Sequence, residues 1–232
     1  VSVGFGSLSW ALDTASVTGM LTGVLLGLVV GVLGGPQWLA VLMAFFAIGG
    51  LSSKYRYDEK LQRGVAEPQG GARDSGNVLA NAAPALAAVL LFAAGDHLAL
   101  APALFRFAFL GSLATALADT LSSEIGGLYD GPRLVTTLQR VDPGTDGAVT
   151  WQGELAGLAG AALVGGMAVG LFPVDPLGGG LVALAGALGM TVDSLLGATV
   201  EGRGLGNQAV NAVATAGGAV AGGALALAAG LA

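Results

Sequence analysis

The 232-residue chain has no cysteine, a single histidine, and only 10% charged residues. Without cysteine there is no disulfide framework and no thiolate metal site. The lone His97 leaves little room for a Ser-His-Asp triad. Soluble domains carry about 25% charged residues, so the scarcity of charge points to an integral membrane protein. A formal charge of −6 argues against a nucleic-acid partner. No Walker A loop, kinase Gly-rich signature, zincin motif or nucleophile elbow occurs. What the chain does have is apolar: 54% hydrophobic residues, a mean hydropathy of +0.77, and 41 glycines without a collagen period. Small residues let helix backbones approach closely in a bilayer.

Apolar runs of about 20 residues are the membrane-spanning unit. Seven occur: Thr14–Leu33, Pro36–Ser53, Asn77–Ala94, Ala101–Ile125, Gly153–Phe172, Leu177–Thr199 and Ala209–Leu231. They predict an all-α polytopic protein with a single membrane domain over residues 1–232 and about seven transmembrane helices. Residues 1–10 lack the basic start and cleavage site of a signal peptide. Gly19, Gly23, Gly27 and Gly31 stand at i, i+4 spacing and read as a packing seam. Asp13, just before them, reads as a helix N-cap.

The connections alternate. Gly34-Gly35, 95–100 and 173–176 are short and carry no Lys or Arg. Residues 54–76, 127–152 and 200–208 hold Lys54, Arg56, Lys60, Arg63, Arg73, Arg133, Arg140 and Arg203, which is every basic residue but Arg106. The positive-inside rule puts these three loops, and the N-terminus, in the cytoplasm of a cell-membrane protein. His97 falls in an outer loop, with no evident ligand partner.

Polar residues gather toward that face. Ala118-Asp119-Thr120-Leu121-Ser122-Ser123-Glu124 closes the fourth run, and a loop ending Asp142-Pro143-Gly144-Thr145-Asp146-Gly147 follows. Carboxylates in an apolar helix are costly, so they usually face a polar cavity. A loop of Gly, Thr and Asp can offer N–H groups to an anion. Arg73, Asn77 and Asn81 share one helix face at i, i+4, i+8, positioned either to bind phosphate or to join helices. Arg203, Asn207 and Asn211 repeat that spacing, a faint internal repeat that puts two parallel helices at the same face. Asp193 sits in the sixth run at a depth like that of Asp119. The two are a divalent-metal pair or, alternatively, separate partners for an Arg or a cap. Glu124 lies about 140° round the helix from Asp119 at 100° per residue, so it serves a neighbouring group before the same metal.

Carboxylates, hydroxyls, amides, Lys54 and Arg at one membrane face suit phosphoryl transfer, where positioning and charge neutralisation dominate. They also suit ion-coupled transport. The blocks Ala118–Gly126, Pro143–Gly147 and Val192–Thr199, with the Asn77/Asn81 and Asn207/Asn211 pairs, resemble an integral membrane family long catalogued as a domain of unknown function. That family includes plant phytyl-phosphate kinase and is distantly similar to CTP-dependent phytol and dolichol kinases. Family members usually have an aromatic where this chain has Leu121, and Ser or Gly where it has Asp146. The resemblance covers nearly the whole chain. It implies transfer of a phosphoryl group from a nucleoside triphosphate, CTP favoured, to an isoprenoid monophosphate such as phytyl or geranylgeranyl phosphate. Alternatives are a cytidylyltransferase forming a CDP-lipid and a transporter of a lipid or small anion.

On the kinase reading, Asp119 and Asp193 hold Mg²⁺ on the donor phosphates. Lys54 and Arg73 neutralise the transferring group, and Gly144, Thr145, Asp146 and Gly147 cradle phosphate oxygens. Asn77, Asn81, Ser123, Glu124, Asn207 and Asn211 are further substrate or nucleotide contacts. A lipid monophosphate is largely dianionic at neutral pH, with a second pKa of about 6, so no histidine base is required. The isoprenoid tail is expected between helices, with its phosphate at the cytoplasmic edge.

Overall fold

The computed structural model describes residues 1–95, 101–201 and 204–232. His97 and Arg203 lie outside the described residues, and with them the outer-loop placement and the Arg of the second stripe. Each of the seven apolar runs is a helix: α2 (Val17–Leu33), α3 (Pro36–Lys54), α5 (Ser75–Ala93), α6 (Pro102–Gly126), α7 (Trp151–Leu171), α8 (Pro176–Thr199) and α9 (Asn207–Ala228). All but α2 are long and apolar enough to cross a membrane, and α2 is a shorter apolar helix.

Two helices were not apparent in the sequence pattern. The segment at the start forms α1 (Ser2–Ala11), which packs on α2. The first long loop folds into the short α4 (Tyr57–Gln62) and a 3-10 turn over Gln69–Gly71. The second carries a two-residue hairpin, β1 (Arg133–Leu134) against β2 (Ala148–Val149). Asp13 does not cap α2: it takes a left-handed conformation, and Ser16 accepts the bond from Gly19 N–H at 3.2 Å. Both types can cap; the chain turns back through Thr14 and Ala15 before the helix begins, which leaves Ser16 at the cap position.

α6 is the central helix, buried over most of its length and touching α3, α5, α7, α8 and α9. Its small residues explain this. A Cβ on Gly111 would overlap the Gly218 carbonyl, and one on Gly189 or Gly218 would overlap the Thr115 hydroxyl. Such backbone approach replaces the hydrophobic effect, which does little between helices already in lipid. The glycine row of α2 is in contact at Gly19, Gly27 and Gly31 but open at Gly23.

The two ends of the bundle differ. At one, Trp38 packs its ring 4.7 Å from Phe92, 4.7 Å from Phe109 and 5.9 Å from Phe172. At the other, the first two basic loops and the described part of the third come together over the C-terminal ends of α3, α6 and α8 and the N-terminal ends of α5, α7 and α9. α5 and α9 run parallel: Gly76 lies against Gln208, and the Thr215 hydroxyl donates to the Ala80 carbonyl at 3.2 Å.

Candidate functional site

The loop end encloses a cavity of about 370 Å³. Helix ends set its electrostatics, because a helix is partially positive at its N-terminus and partially negative at its C-terminus. α5 and α9 direct their N-terminal ends at it, bringing Asn77, Asn81, Asn207 and Asn211. α6 and α8 direct their C-terminal ends at it, bringing Asp119, Ser123, Glu124, Asp193 and Ser194, with Glu201 just beyond. One wall therefore favours anions. The opposite wall adds carboxylates to helix ends that already repel them.

Asp119 and Asp193 face each other across the same cavity, their carboxylates close enough to interact, from helices α6 and α8 that pack together. Two carboxylates so close repel unless a proton or a cation is shared between them. With its amide nitrogen turned toward acceptors, Asn211 donates to Asp193 Oδ1 at 3.2 Å and to Asn207 Oδ1 at 2.9 Å. Among the described residues, no cluster of three or more acidic or histidine side chains forms a metal cage made of protein alone. The donor set fits Mg²⁺, which is bound by one or two carboxylates and completes its shell with water and substrate phosphates. Glu201 extends the acidic wall. Burial raises its pKa above the ordinary value, and the nearby Asp146 charge raises it further.

Among the described residues, Arg73 is the cation that lines this cavity. It is 7% exposed. Its backbone is fixed by Arg73 N–H to the Thr14 carbonyl at 3.1 Å and by Ser16 N–H to the Arg73 carbonyl at 3.0 Å. Gly49 makes room for the guanidinium, since a Cβ there would stand 3.1 Å from Nη2. The group lies 5.6 Å from the Phe45 ring centre and donates from Nη2 to the Thr120 hydroxyl at 3.3 Å. No protein atom among the described residues accepts from Nε or Nη1. Burial draws its pKa below the usual arginine value, against the pull of Glu124, Glu67 and Asp119; an arginine remains charged nonetheless.

Lys54 does not line the cavity. Its ammonium donates to the Gly70 carbonyl at 2.8 Å on the outer side of the loop. The buried lysine is Lys60, which donates to the Ser52 carbonyl at 2.9 Å, the Ser53 carbonyl at 2.8 Å and Glu124 Oε2 at 2.5 Å. It thus ties the C-terminal end of α3 to the end of α6. Nothing in the local pattern separates Lys60 from Lys54, because its burial depends on a partner 64 residues away.

The Gly144–Gly147 loop lines the cavity from the solvent side. Thr145 bonds back to the Asp142 carbonyl through both N–H, at 3.2 Å, and hydroxyl, at 2.7 Å. Gly147 takes a positive φ of 71°, and a Cβ there would overlap the Ala198 backbone. That contact seats the loop on α8 one turn from Asp193. Further lining residues that the sequence did not single out are Glu67 and Tyr129.

These features define a multi-pass helical membrane protein with a one-ended polar cavity, acidic on one wall and open to anions on the other. The chain belongs to the integral membrane protein DUF92 family, whose model matches residues 1–227. It is 37% identical over 194 residues to the uncharacterized membrane protein MJ0933 of Methanocaldococcus jannaschii, covering 81% of this chain and 76% of that one. It is 36% identical over 187 residues to the uncharacterized membrane protein sll0875 of a Synechocystis strain, covering 75% and 68%. It is also 30% identical over 178 residues to Protein VTE6, chloroplastic, of Arabidopsis thaliana, covering 75% of this chain and 54% of the relative. No solved structure matches.

Proposed function

We propose that the protein is an isoprenyl-phosphate kinase that moves a phosphoryl group from a nucleoside triphosphate, with CTP favoured, to a polyprenyl monophosphate such as phytyl or geranylgeranyl phosphate. The observation that carries this reading is the meeting of Asp119 and Asp193 with Arg73, whose Nε and Nη1 have no protein partner among the described residues, in one cavity at the loop end of the bundle. Resemblance to the family of plant phytyl-phosphate kinase supports the same class of chemistry.

The acceptor's terminal phosphate oxygen attacks the γ-phosphorus of the donor. A new P–O bond forms, the bond to the β,γ-bridging oxygen breaks, and nucleoside diphosphate leaves with that electron pair. The acceptor needs no base, so no histidine is required of the cavity. Repulsion between the two phosphate groups is the obstacle. Arg73 offsets it from the buried side, and the α5 and α9 N-termini offset it from theirs. Asp119 and Asp193 would hold Mg²⁺, which supplies charge neutralisation on the donor phosphates. Asn211 orients Asp193, and Gly144–Gly147 closes over the phosphates. Lys54 has no part here, given its bond to Gly70.

Transport is less well supported. On the central helix, the turns from Asp119 back toward its start bury Leu117, Leu113, Leu110 and Phe109, and Thr115 bonds back to Gly111. The decisive test uses purified protein with Mg²⁺, labelled nucleoside triphosphates and a panel of polyprenyl monophosphates. Label should appear in a lipid diphosphate, with nucleoside diphosphate released. Pyrophosphate release would instead identify a cytidylyltransferase, and label on no lipid would end the kinase reading. We place the cavity on the cytoplasmic face of the cell membrane from its basic loops. A cysteine at position 140 that reacts only from the opposite side would reverse that.

A further inference from the structure

Four buried polar atoms of residues that line the loop-end cavity are without a partner among the described residues: Arg73 Nε and Nη1, Glu124 Oε1 and Asn81 Oδ1. Two are donors and two are acceptors. Leaving such atoms buried and unpaired is costly. A phosphate alone would serve Arg73 but bring its own acceptor oxygens against Asn81 and Glu124. A cation alone would serve the acceptors and oppose Arg73. A cation that carries a phosphate group serves both. Of the two acceptors, Glu124 is already tied to Lys60 through Oε2. Asn81 is 2% exposed, in the second turn of α5. Its Nδ2 donates to the Asn77 carbonyl at 3.0 Å, which fixes the amide and turns Oδ1 to the other side. Asn211 holds the matching place on the parallel helix α9. Its amide nitrogen reaches the Asn207 carbonyl at 3.2 Å in the same way, but also donates to Asp193 Oδ1. The two copies of the repeat thus meet the acidic wall with opposite polarity. Asn211 gives Asp193 a donor, whereas Asn81 brings an acceptor oxygen to the cavity that holds Asp119 and Asp193.

We infer that Asn81 Oδ1 is a ligand, beside Asp119 and Asp193, of the divalent cation that this cavity takes. The identity of that cation as Mg²⁺ rests on the kinase reading above. An amide oxygen is a hard, neutral donor, and protein kinases hold their Mg²⁺ ions with an Asp and an Asn. Neutrality matters at this place. Asp119, Asp193 and Glu201 already set three carboxylates around the cavity, and a fourth charge would add to their repulsion whenever the metal is away. An asparagine adds an oxygen without adding charge. The unpaired state of Oδ1 follows as well, because a metal ligand must keep a lone pair free of protein donors. Arg73 then serves the phosphate, and Asn81, eight residues further on, serves the cation that accompanies it.

The test uses the full chain in detergent with neither nucleotide nor lipid. The chain contains no cysteine, so Asn81→Cys introduces a single thiol. Cd²⁺ should then give the ultraviolet charge-transfer band of a thiolate–Cd²⁺ bond, because a thiolate selects the softer metal. Adding Asp119→Asn or Asp193→Asn to that variant should weaken Cd²⁺ binding at least about tenfold. Asn81→Leu tests the same point without a thiol. Its Mn²⁺ affinity, read by paramagnetic resonance, should fall at least about tenfold, whereas Asn81→Asp should bind Mn²⁺ no more weakly than wild type. Without metal, Asn81→Leu should melt no lower than wild type, since it removes an unpaired acceptor. Saturating Mg²⁺ should raise the wild-type midpoint and move that of Asn81→Leu much less. A residue that only joins helices would lower the midpoint equally with and without metal. That result, the lack of a band in folded Asn81→Cys, or unchanged Mn²⁺ affinity in Asn81→Leu would overturn the inference. Because metal binding needs no turnover, the two readings separate. Metal held through Asn81 without phosphoryl transfer to any lipid keeps the ligand and removes the kinase, while transfer with a Mn²⁺ affinity indifferent to Asn81 does the reverse.

Discussion

Lys60 and Arg73 are both buried cations at the same end of the bundle, yet they are used in opposite ways. Lys60 is 1% exposed and gives its three donors to Ser52, Ser53 and Glu124. Arg73 is 7% exposed and leaves Nε and Nη1 without protein partners among the described residues. An ammonium has three donors, so Lys60 is saturated and holds helices together. A guanidinium has five donors in a fixed fork. Arg73 is placed by its backbone, by Phe45 and by Thr120, while part of its fork stays free for a ligand. Burial of charge alone does not mark a site; the two cations differ in whether their hydrogen-bonding capacity is already spent on the protein.

The largest effect should come from the acids opposite Arg73. Asp119→Asn and Asp193→Asn keep shape but remove the charge that a metal requires. Each should lower turnover at least about 10³-fold and abolish Mg²⁺-dependent nucleotide binding, with folding retained. Normal Mg²⁺ dependence in both variants would mean the carboxylates are structural. Arg73→Lys keeps the charge and loses the fork, and should cost about 10²-fold in turnover with little change in thermal midpoint. An equal fall in activity and stability would make Arg73 a second Lys60.

Lys60→Met should act the other way round. It leaves Glu124 buried and unpaired and frees two helix-end carbonyls, a loss of about 3–5 kcal/mol for breaking a buried pair. The molecules that remain folded should turn over nearly normally. Replacing both partners, Lys60→Met with Glu124→Leu, should recover part of that stability, because no unpaired carboxylate remains. Turnover lost in the folded fraction of Lys60→Met would place Lys60 in the site.

Much of this division was legible in the sequence, and the reasons are local. Asp119 and Asp193 interrupt apolar runs, so their cost in lipid is visible without a structure. Arg73, Asn77 and Asn81 are grouped by helical spacing alone. The seven apolar runs announce their helices by length. Lys60 was not legible, because it stands in a charged loop six residues from Lys54 and only the folded position of Glu124 separates them. The capping of α2 by Ser16 was hidden for a similar reason, since Asp13 and Ser16 are equally able caps until the turn between α1 and α2 is known. The partnerless nitrogens of Arg73 and the open space at Gly23 belong to the fold and have no counterpart in any pattern.

The smallest expected effect bears on the comparison most directly. Glu67 lines the cavity near Arg73, in the loop where its carbonyl accepts from the Tyr57 hydroxyl at 2.9 Å. Burial raises its pKa above the ordinary value and the Glu124 charge adds to this, while Arg73 and Lys60 oppose. An acid with a raised folded-state pKa binds its proton more tightly in the folded protein. Its contribution to stability therefore grows as pH falls through that raised value and is complete below the unfolded value of about 4.3. Above the raised value, the ionised and half-buried carboxylate is a standing cost. Glu67→Gln cannot titrate. The stability of Glu67→Gln relative to wild type should thus be greatest near neutral pH and should decline as pH falls toward that unfolded value, measured as paired thermal midpoints across the range. A difference that runs the opposite way would mean that Glu67 is held ionised by a cation. Arg73 is the nearest candidate with donors to give, because Lys60 has none left. Its fork would then be occupied by protein in the folded state, and the contrast between the two cations would fail.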